Sequence, residues 1–458
     1  MKNSFSNADR FIAQLKSIEQ QINQNQLQKA ALALNQLGKT DPNDPRVFLL
    51  GSRLADAARN PEAMLQSALK AYQLAPQWPV ASLHLANVLA SRDDAHQAMI
   101  LAVQAVQQAT AQSSADLSLL SDAAALAQRL GKYPQALAWL RQAQQVAPQD
   151  IGTQYKIGLA LSASGEFDSA IAIFTTLLAQ RPAEPSLLIA RRQAALGAQQ
   201  MALAAQDSEA LLVLDPQNEE HLYYLAIARG ETPETQPASI VALLFNELAT
   251  QFDQRLVVHS QYKLPRDVAE MIKAWHPDSK SDVLDLGCGT GLLGACLGRM
   301  EGVLVGVDLS EGMLAQASRH QVYDRFHQVN VLDALQATPE GQYHIITALD
   351  VLIYVGKLDS VIPDAYRILL PGGRFVFSCE AGAEGDADYA LKSSNRYTHQ
   401  RRYVQRLLEE AGFKDIEMQD RILRYEADQP VHGFLITAFK PAQTAPKKAP
   451  RKAEAGAD

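Results

Sequence analysis

Cysteine is scarce in this sequence of 458 residues, and its three copies, Cys288, Cys296 and Cys379, stand at unrelated spacings. This scarcity excludes a disulfide framework and a cysteine metal cluster, so no metal is expected and a reducing compartment, the cytoplasm, is expected. No apolar run of about 18 residues occurs, which excludes a membrane-spanning helix. The first ten residues lack the apolar core of a secretion signal, so none is expected.

An excess of basic residues is also missing, because the formal net charge is −8. A general nucleic-acid binder normally presents a basic surface, so nucleic acid is not an expected partner. Apolar residues make up 47% and charged residues 20% of the chain, which is typical of a globular protein. The length allows two or three domains, each with its own core.

Prolines recur at a fixed interval in the first half of the chain. Three pairs are each 34 residues apart: Pro42 and Pro76, Pro148 and Pro182, Pro182 and Pro216. The gap from Pro76 to Pro148 is 72 residues, two such intervals with four extra residues near Ala111–Ala115. A period of this length predicts paired helices stacked as a solenoid.

Small residues twelve positions before these prolines support close helix packing, namely Ala30, Ala136, Ala170 and Ala204. The unit from Asp150 to Pro182 places Gly158, Gly165, Ala170 and Phe174 where small, turn, small and large residues are wanted. This pattern resembles tetratricopeptide repeats, which implies a protein or peptide partner in a groove. Met64 and Arg192 depart from the pattern, and a non-repeating helical bundle is the alternative.

The composition predicts four segments. Residues 9–229 form the repeat domain, with a capping helix at Glu219–Arg229, and residues 230–238 are a polar linker that contains proline. Residues 239–440 alternate strand and helix patterns, which is typical of a parallel sheet covered on both faces. Residues 441–458 are basic and rich in proline, so a disordered tail is expected.

A glycine-rich turn follows the first predicted strand of the second domain. Asp285 is followed by Gly287, Gly289 and Gly291, and Asp308 ends the next predicted strand. Glycine lets a backbone approach a ligand closely because it has no Cβ and tolerates positive φ. A dinucleotide fingerprint also fits this spacing, but its pyrophosphate would face Asp285, whereas an α-amino group would be attracted to that carboxylate.

The stretches 283–291, 306–310, 313–315 and 369–374, together with the Asp333 segment, resemble the class I S-adenosylmethionine-dependent methyltransferases. The resemblance implies a Rossmann-like α/β sheet of seven strands, the last of them, Gly433–Phe439, running antiparallel. The fold class is therefore an all-α tetratricopeptide-like solenoid followed by an α/β methyltransferase domain. Ligand is expected outside the carboxyl ends of the strands.

The resemblance implies S-adenosyl-L-methionine as cofactor and assigns nine residues to it. Asp285 and the Gly287–Cys288–Gly289 backbone would hold the methionine part, and Asp308 the ribose hydroxyls. Leu309 and Leu332 would enclose the adenine, Asp333 would accept from its amino group, and Met313 would pack beside the ribose.

Candidate residues for the methyl acceptor come from three segments. Asp350 and Tyr354 follow the fourth predicted strand and are the candidate catalytic residues. The segment 246–264 precedes the first strand and carries Phe252, Asp253, His259 and Tyr262. A polar segment from Asp388 to Tyr403 is interpreted as a binding lid, and its candidate contacts are Arg396, Tyr397, His399 and Tyr403.

One departure from the resemblance concerns the start of the fourth strand, where His344 follows Tyr343 in place of the aspartate of many relatives. The predicted function is methyl transfer to a small molecule, a carrier-bound molecule or a protein side chain by in-line displacement. Two alternatives stay open: a non-catalytic scaffold that binds the cofactor, and an NAD-dependent oxidoreductase.

Overall fold

The computed structural model describes residues 7–249, 252–253 and 260–442. By its contacts the chain divides into two compact units, one ending at Leu214 and the other beginning at Asp215. His259 and nearly all of the predicted tail, residues 443–458, lie outside the described residues.

The first unit is entirely helical. Its described part, from residue 7 to residue 214, contains twelve helices: α1 (Asn7–Asn23), α2 (Leu27–Thr40), α3 (Pro45–Ala57), α4 (Pro61–Leu74), α5 (Pro79–Ala90), α6 (Ala95–Ala111), α7 (Leu117–Arg129), α8 (Tyr133–Val146), α9 (Ile151–Ala163), α10 (Phe167–Gln180), α11 (Pro185–Gly197) and α12 (Met201–Leu214). Consecutive helices pack as pairs, and each pair packs on the next.

The predicted repeat is confirmed by where the helices begin. The first helices of successive pairs, α3, α5, α7, α9 and α11, start at residues 45, 79, 117, 151 and 185. The one wider interval contains helix α6, whose 17 residues exceed the 14 of α4 and so account for three of the four extra residues. Pro45, Pro79 and Pro185 occupy the first helical turn, where a missing N–H group costs no hydrogen bond.

Small residues let the paired helices approach each other. Ala30, Ala136, Ala170 and Ala204 are fully buried, as the sequence predicts. Gly158 of α9 faces the ring of Phe174 in α10, and a Cβ at that glycine would lie 2.5 Å from Phe174 Cε1. The repeat core therefore depends on small side chains at the crossing points.

Helix α13 (Glu219–Ala228) begins 34 residues after α11, in step with the repeats. The contacts of α13 nevertheless assign it to the second unit. The sequence analysis predicts this helix as the cap of the repeat domain. The ring of Tyr223 in α13 is buried, and its proximity contributes to the raised pKa of Tyr397, for which burial is the largest cause. The predicted domain limits themselves stay a prediction.

The second unit is a sheet with helices on both faces. Its strands are β1 (Val283–Leu286), β2 (Leu304–Asp308), β3 (Arg325–Gln328), β4 (Tyr343–Ala348), β5 (Leu369–Ala381), β6 (Tyr389–Leu391), β7 (Tyr397–His399), β8 (Lys414–Glu426) and β9 (Gln429–Phe439). After α13 its helices are α14 (Ala238–Leu248), α15 (Leu264–Trp275), α16 (Leu292–Leu297), α17 (Glu311–Ala317), α18 (Val331–Ala337), α19 (Val361–Ile368) and α20 (Arg401–Ala411).

The sheet runs in the order β3-β2-β1-β4-β5, and β9 and then β8 continue it beyond β5. Strands β1 to β5 are mutually parallel, and β9 pairs with β5 in antiparallel register, which confirms the predicted direction of the last strand. These seven strands are the predicted ones, and the hairpin β6–β7 is an addition that pairs with the end of β5. The sequence analysis missed this hairpin because each of its strands has three residues.

Alternate strand residues enter cores on opposite faces of the sheet, as the pleat requires. Leu284 and Phe375 belong to the core beneath α18, α19 and α20, whereas Val283 and Val376 belong to the core beneath α15 and α16. Within the described residues, no helix has both the length and the apolar character needed to cross a membrane.

Candidate functional site

The glycine-rich turn after β1 forms a tight loop with left-handed backbone at Gly287, Gly289 and Gly291. A Cβ at Gly287 would lie 2.3 Å from Cγ2 of Val351, which belongs to the segment after β4. The glycine is therefore required both by its backbone conformation and by this close approach. Helix α16 begins directly after Gly291, which is its N-cap.

Asp285 is buried beside this loop, and each of its carboxyl oxygens already has a partner. Tyr323 donates its hydroxyl to Oδ2 at 2.7 Å, and Thr347 donates its hydroxyl to Oδ1 at 2.7 Å. Burial raises the pKa of Asp285 to about 6, although both hydrogen bonds oppose that shift. The sequence analysis missed Tyr323 and Thr347, but Thr347 is the residue of β4 that pairs with Asp285.

Asp308 ends β2 and ties the loop to the neighbouring strand. Its Oδ2 accepts a hydrogen bond from Gly289 N at 2.9 Å, and its Oδ1 accepts one from Ser310 N at 2.9 Å. Burial raises the pKa of Asp308, and the backbone donors oppose this effect. Two carboxylates from adjacent parallel strands therefore meet at one end of the sheet.

A pocket opens at these strand ends and encloses about 970 Å³, its solvent-filled mouth included. We call its two parts the glycine-loop end and the aromatic end. Six of the nine residues assigned to the cofactor by resemblance line the glycine-loop end: Asp285, Gly287, Cys288, Gly289, Asp308 and Leu309. Thr290, Asn330 and Val331 also line the pocket and were not predicted. Burial raises the pKa of the Cys288 thiol, so the thiol stays protonated and unreactive.

The remaining three assigned residues do not line this pocket. Met313 is fully buried in α17 and serves as core. Leu332 lines a separate depression with Thr235 and Val355, and Asp333 is exposed in the first turn of α18. The roles that the resemblance implies for them lack support from the pocket geometry.

The aromatic end is lined by apolar and aromatic side chains, among them Val241, Phe245, Phe252, Tyr262 and Tyr354. The ring of Phe245 meets the rings of Phe252 and Tyr354 edge-on, with centroid distances of 5.9 and 5.4 Å. Tyr262, a predicted acceptor contact, is in the lining and 7% exposed. An apolar enclosure with a few hydroxyl groups is the usual character of a small-molecule site.

Asp350 lies at the aromatic end with its backbone in the left-handed region, at φ 56°. Its N–H group donates to Ser378 Oγ at 2.8 Å, and its Oδ2 accepts from Arg424 at 2.7 Å. Oδ1 is buried and has no hydrogen-bond partner among the described residues. Burial raises the pKa of Asp350, and Arg424 opposes the shift.

The prediction that the segment from Asp388 to Tyr403 forms a binding lid is wrong. Tyr397 and His399 are fully buried in β7 and do not line the pocket. Tyr397 donates its hydroxyl to the carbonyl of Pro233 at 2.9 Å. His399 Nε2 lies 3.0 Å from Val355 O and 2.9 Å from Gly356 O, so it donates to carbonyls of the segment after β4.

The other two predicted lid contacts are also structural. Tyr403 is 2% exposed and its hydroxyl accepts from Leu358 N at 2.7 Å while donating to Asp359 at 2.6 Å. Arg396 pairs with Glu380 and Glu426 instead of facing the pocket. The four residues therefore bond other parts of the protein, and among them His399 contacts the pocket lining directly, at Val355.

The predicted linker is built into that wall. The carbonyl of Glu234 accepts hydrogen bonds from Gly356 N and Lys357 N, both at 2.9 Å. Thr235 pairs with Val355 in an antiparallel bridge, and Gln236 N donates to Tyr354 O at 3.1 Å. Thr235 and Gln236 line the pocket, so this strap of residues 234–236 is part of the site.

Comparisons with known proteins agree with this geometry. Residues 284–375 match the methyltransferase domain family. A ubiquinone biosynthesis O-methyltransferase of Pseudomonas savastanoi pv. phaseolicola is 32% identical over 127 residues, 26% of this chain and 54% of that protein. The chain thus spans about half the length of this curated relative.

Two solved structures are each similar to part of the chain. The magnesium protoporphyrin IX methyltransferase of Synechocystis PCC 6803 with bound SAH is 19% identical, covers 44% of this chain and 99% of its own, and has a TM-score of 0.35. YrrB, a TPR protein with an unusual peptide-binding site, is 16% identical, covers 43% and 98%, and has a TM-score of 0.35. The similarity to the methyltransferase domain family is thus located in residues 284–375, which follow the helical repeats in the sequence.

Proposed function

We propose that the protein transfers a methyl group from S-adenosyl-L-methionine to an acceptor that binds at the aromatic end of the pocket. The main observation behind this proposal is a single pocket whose two ends carry different functional groups. Asp285 and Asp308 lie at the glycine-loop end, and Asp350 with its unpartnered Oδ1 lies at the other.

The residues at the glycine-loop end fit the cofactor. When bound, S-adenosylmethionine supplies a methyl group that its sulfonium already activates. Asp285 would hold the cationic amino group, which compensates the cost of burying its carboxylate. Asp308 already accepts one backbone hydrogen bond on each oxygen, and the remaining lone pairs would accept from ribose hydroxyls.

The residues at the aromatic end fit a small or carrier-bound acceptor with a nucleophilic O–H or N–H group. Apolar rings would orient the acceptor, and the hydroxyls of Tyr262 and Tyr354 would bind its polar edge. Asp350 would accept the proton that such a nucleophile loses. The curated relatives named ubiquinone biosynthesis O-methyltransferase support transfer to oxygen.

Calorimetric titration of the full-length chain with S-adenosylmethionine and S-adenosylhomocysteine tests the proposal. We expect both compounds to bind and Asp308→Ala to weaken the binding of both. We also expect the wild type to transfer labelled methyl into an acceptor from cell extract. Absence of binding, or binding that Asp308→Ala leaves undiminished, would favour a non-catalytic scaffold. Binding of NAD without binding of S-adenosylhomocysteine would favour an oxidoreductase.

For the repeat unit we infer a protein or peptide partner that either is the methyl acceptor or presents it. A depression between the starts of α9 and α11 supports this, lined by Tyr155, Arg181, Glu184 and neighbouring residues. We expect Tyr155→Ala with Arg181→Glu to abolish labelling of a protein acceptor while cofactor binding stays intact. Equal labelling by wild type and variant would contradict recruitment through this depression.

A further inference from the structure

The carboxylate of Asp350 is one member of a buried ionic network that centres on Arg424. Arg424 belongs to β8 and is 5% exposed. Its guanidinium contacts Asp350 Oδ2 at 2.7 Å, Glu426 Oε1 at 2.8 Å, and Glu380 Oε1. Both β8 residues of this network lie outside the segment that matches the methyltransferase domain family.

A second guanidinium closes the network from the other side. Arg396, 18% exposed, contacts Glu380 Oε1 at 2.8 Å and Glu426 Oε2 at 2.6 Å. Three carboxylates therefore share two guanidinium groups, and one negative charge has no counterpart within the network. Asp350 Oδ1 is the oxygen of this group that is buried without a partner, and Asp350 lines the pocket. A buried oxygen without a hydrogen bond is costly, so Oδ1 is expected to meet a ligand group.

We propose that Arg424 is a positioning residue that binds Oδ2 of Asp350 and so leaves Oδ1 to accept the proton of an acceptor that enters the pocket as an O–H or N–H nucleophile. The inference rests on the proposed function. A lone pair of the acceptor atom forms the new bond to carbon, and the carbon–sulfur electron pair remains on sulfur as a neutral thioether. The proton of the acceptor atom passes to Asp350 Oδ1 and leaves later to solvent. Arg424 touches neither reactant and acts through Asp350.

The geometry favours positioning over simple packing for two reasons. Arg424 binds Oδ2 of Asp350 and not Oδ1, which has no hydrogen-bond partner among the described residues. Asp350 also has a left-handed backbone conformation, which is uncommon for a residue other than glycine, and its N–H group donates to Ser378 Oγ. Both its backbone and its carboxylate are therefore held by partners outside the pocket lining.

The protonation of Asp350 depends on charged and titratable groups from every element around it. They are Arg424 and Glu426 of β8, Glu380 of β5, Arg396 before β7, Tyr262 before α15, Asp285 of β1, and Tyr354 after β4. Burial raises the pKa of Asp350 and Arg424 opposes it most strongly. Removal of the Arg424 charge leaves three carboxylates with one guanidinium, so the pKa of Asp350 rises further.

The test measures the initial rate of labelled methyl transfer into extract acceptors against pH, with the full-length protein. We expect Arg424→Gln to move the acidic limb of the profile to higher pH by roughly one unit or more, with the rate recovering at high pH. Arg424→Lys retains the charge, so its limb should stay near the wild-type position while its rate is lower. Asp350→Asn should abolish the acidic limb of the pH profile. Affinity for S-adenosylhomocysteine should remain at the wild-type level in all three variants.

Arg421→Gln is the matched control, because Arg421 is an exposed arginine of the same strand and bonds only Gln419 among the described side chains. Its profile should match that of the wild type. If Arg424→Gln does not fold, Arg396→Gln should give a smaller shift in the same direction. An equal loss of rate at every pH in the Gln and Lys variants overturns the inference. A wild type that neither binds S-adenosylhomocysteine nor labels any acceptor overturns the proposed function and this inference with it.

Discussion

The two ends of the pocket are built in different ways. The glycine-loop end comes mainly from one short stretch, where β1, the glycine turn and β2 place Asp285 and Asp308 side by side. The aromatic end is assembled from the strap, α14, the segment before α15, and the segment after β4, with β8 behind it. The first end follows from local backbone rules, whereas the second depends on how distant segments meet.

This difference has a functional consequence. The glycine-loop end needs a fixed geometry, because glycines with positive φ and buried carboxylates tolerate few substitutes. The aromatic end uses side chains from α14 and from connecting segments outside the sheet, which can change without disturbing the strands. A shared cofactor site with a variable acceptor site is the expected result.

The largest expected effect on methyl transfer comes from Thr235→Trp, a substitution at the aromatic end of the pocket. Thr235 lines the pocket and pairs with Val355, so an indole there would fill the aromatic end and displace the acceptor. We expect methyl transfer to fall by about 100-fold, since small misplacements of reactants already cost that much. Affinity for S-adenosylhomocysteine should change by less than about twofold.

Two controls accompany this variant. Thr176→Trp places the same side chain on the exposed face of α10 in the repeat unit and should leave transfer unchanged. Thr235→Val retains the shape of threonine and should retain transfer. A Trp variant that loses cofactor binding in parallel with transfer would show that the two ends are not separable.

Asp285→Asn perturbs the other end. The substitution removes the charge that would bind the amino group of the cofactor. The amide oxygen of asparagine can still accept from one of the two hydroxyls of Tyr323 and Thr347, and its nitrogen can donate to the other hydroxyl oxygen. We expect S-adenosylhomocysteine to bind roughly 10- to 100-fold more weakly, as a lost charged hydrogen bond costs about 1.5–3 kcal/mol.

Asp333→Asn is the matched control for this measurement. Asp333 is exposed outside the pocket lining, so its substitution should change affinity by about 0.5 kcal/mol or less. Equal effects of the two substitutions would restore the adenine contact that the resemblance implies for Asp333.

Local sequence was sufficient for the repeats and for the glycine-loop end. The 34-residue period, Gly158 against Phe174, and the order of Asp285, Gly287 and Asp308 all express constraints that act within one or two adjacent elements. Periodicity and turn chemistry carry such constraints directly.

Periodicity and turn chemistry did not predict how the aromatic end is built. Tyr397, His399 and Tyr403 looked like exposed binding groups because their segment is polar, yet each is buried and bonds other parts of the protein, His399 the carbonyl of Val355 in the pocket lining. A polar side chain that satisfies a buried carbonyl has the same sequence signature as one that waits for a ligand. Likewise Arg424 reaches Asp350 only through the pairing of β5 with β9 and of β9 with β8.

Binding of the cofactor should depend on pH through Asp285. Burial raises its pKa to about 6, so the ligand-free protein protonates it below that pH, while an ammonium group prefers the carboxylate. Affinity for S-adenosylhomocysteine should be level above pH 6 and fall by up to about tenfold per unit below it. Calorimetry of wild type and Asp285→Asn checks this, because the variant should lack the dependence. A wild-type affinity that is constant from pH 5 to 7 would contradict the assignment.

The raised pKa of Asp285 also affects the stability of the ligand-free protein, which it makes more stable at low pH than at high pH. A raised pKa contributes stability that is complete below the ordinary value of 3.8 and is lost as the pH rises through about 6. The ligand-free wild type should therefore lose up to roughly 3 kcal/mol relative to Asp285→Asn between these limits. Denaturant unfolding of both proteins at pH 4 and pH 7 measures the difference.

The smallest expected effect on the pocket comes from the repeat unit. Gly158→Ala places a Cβ against Phe174, and overpacking of this kind costs about 1–3 kcal/mol of the free energy of unfolding. Gly38→Ala is the control, since its Cβ would lie 3.6 Å from Val47 and alanine favours the helix by about 1 kcal/mol. Both variants should bind S-adenosylhomocysteine within about twofold of the wild type, because the pocket residues all belong to the second unit. Weaker binding in Gly158→Ala but not in Gly38→Ala would mean that the stability of the repeats reaches the pocket, and the strap at residues 234–236 would then be the first segment to examine.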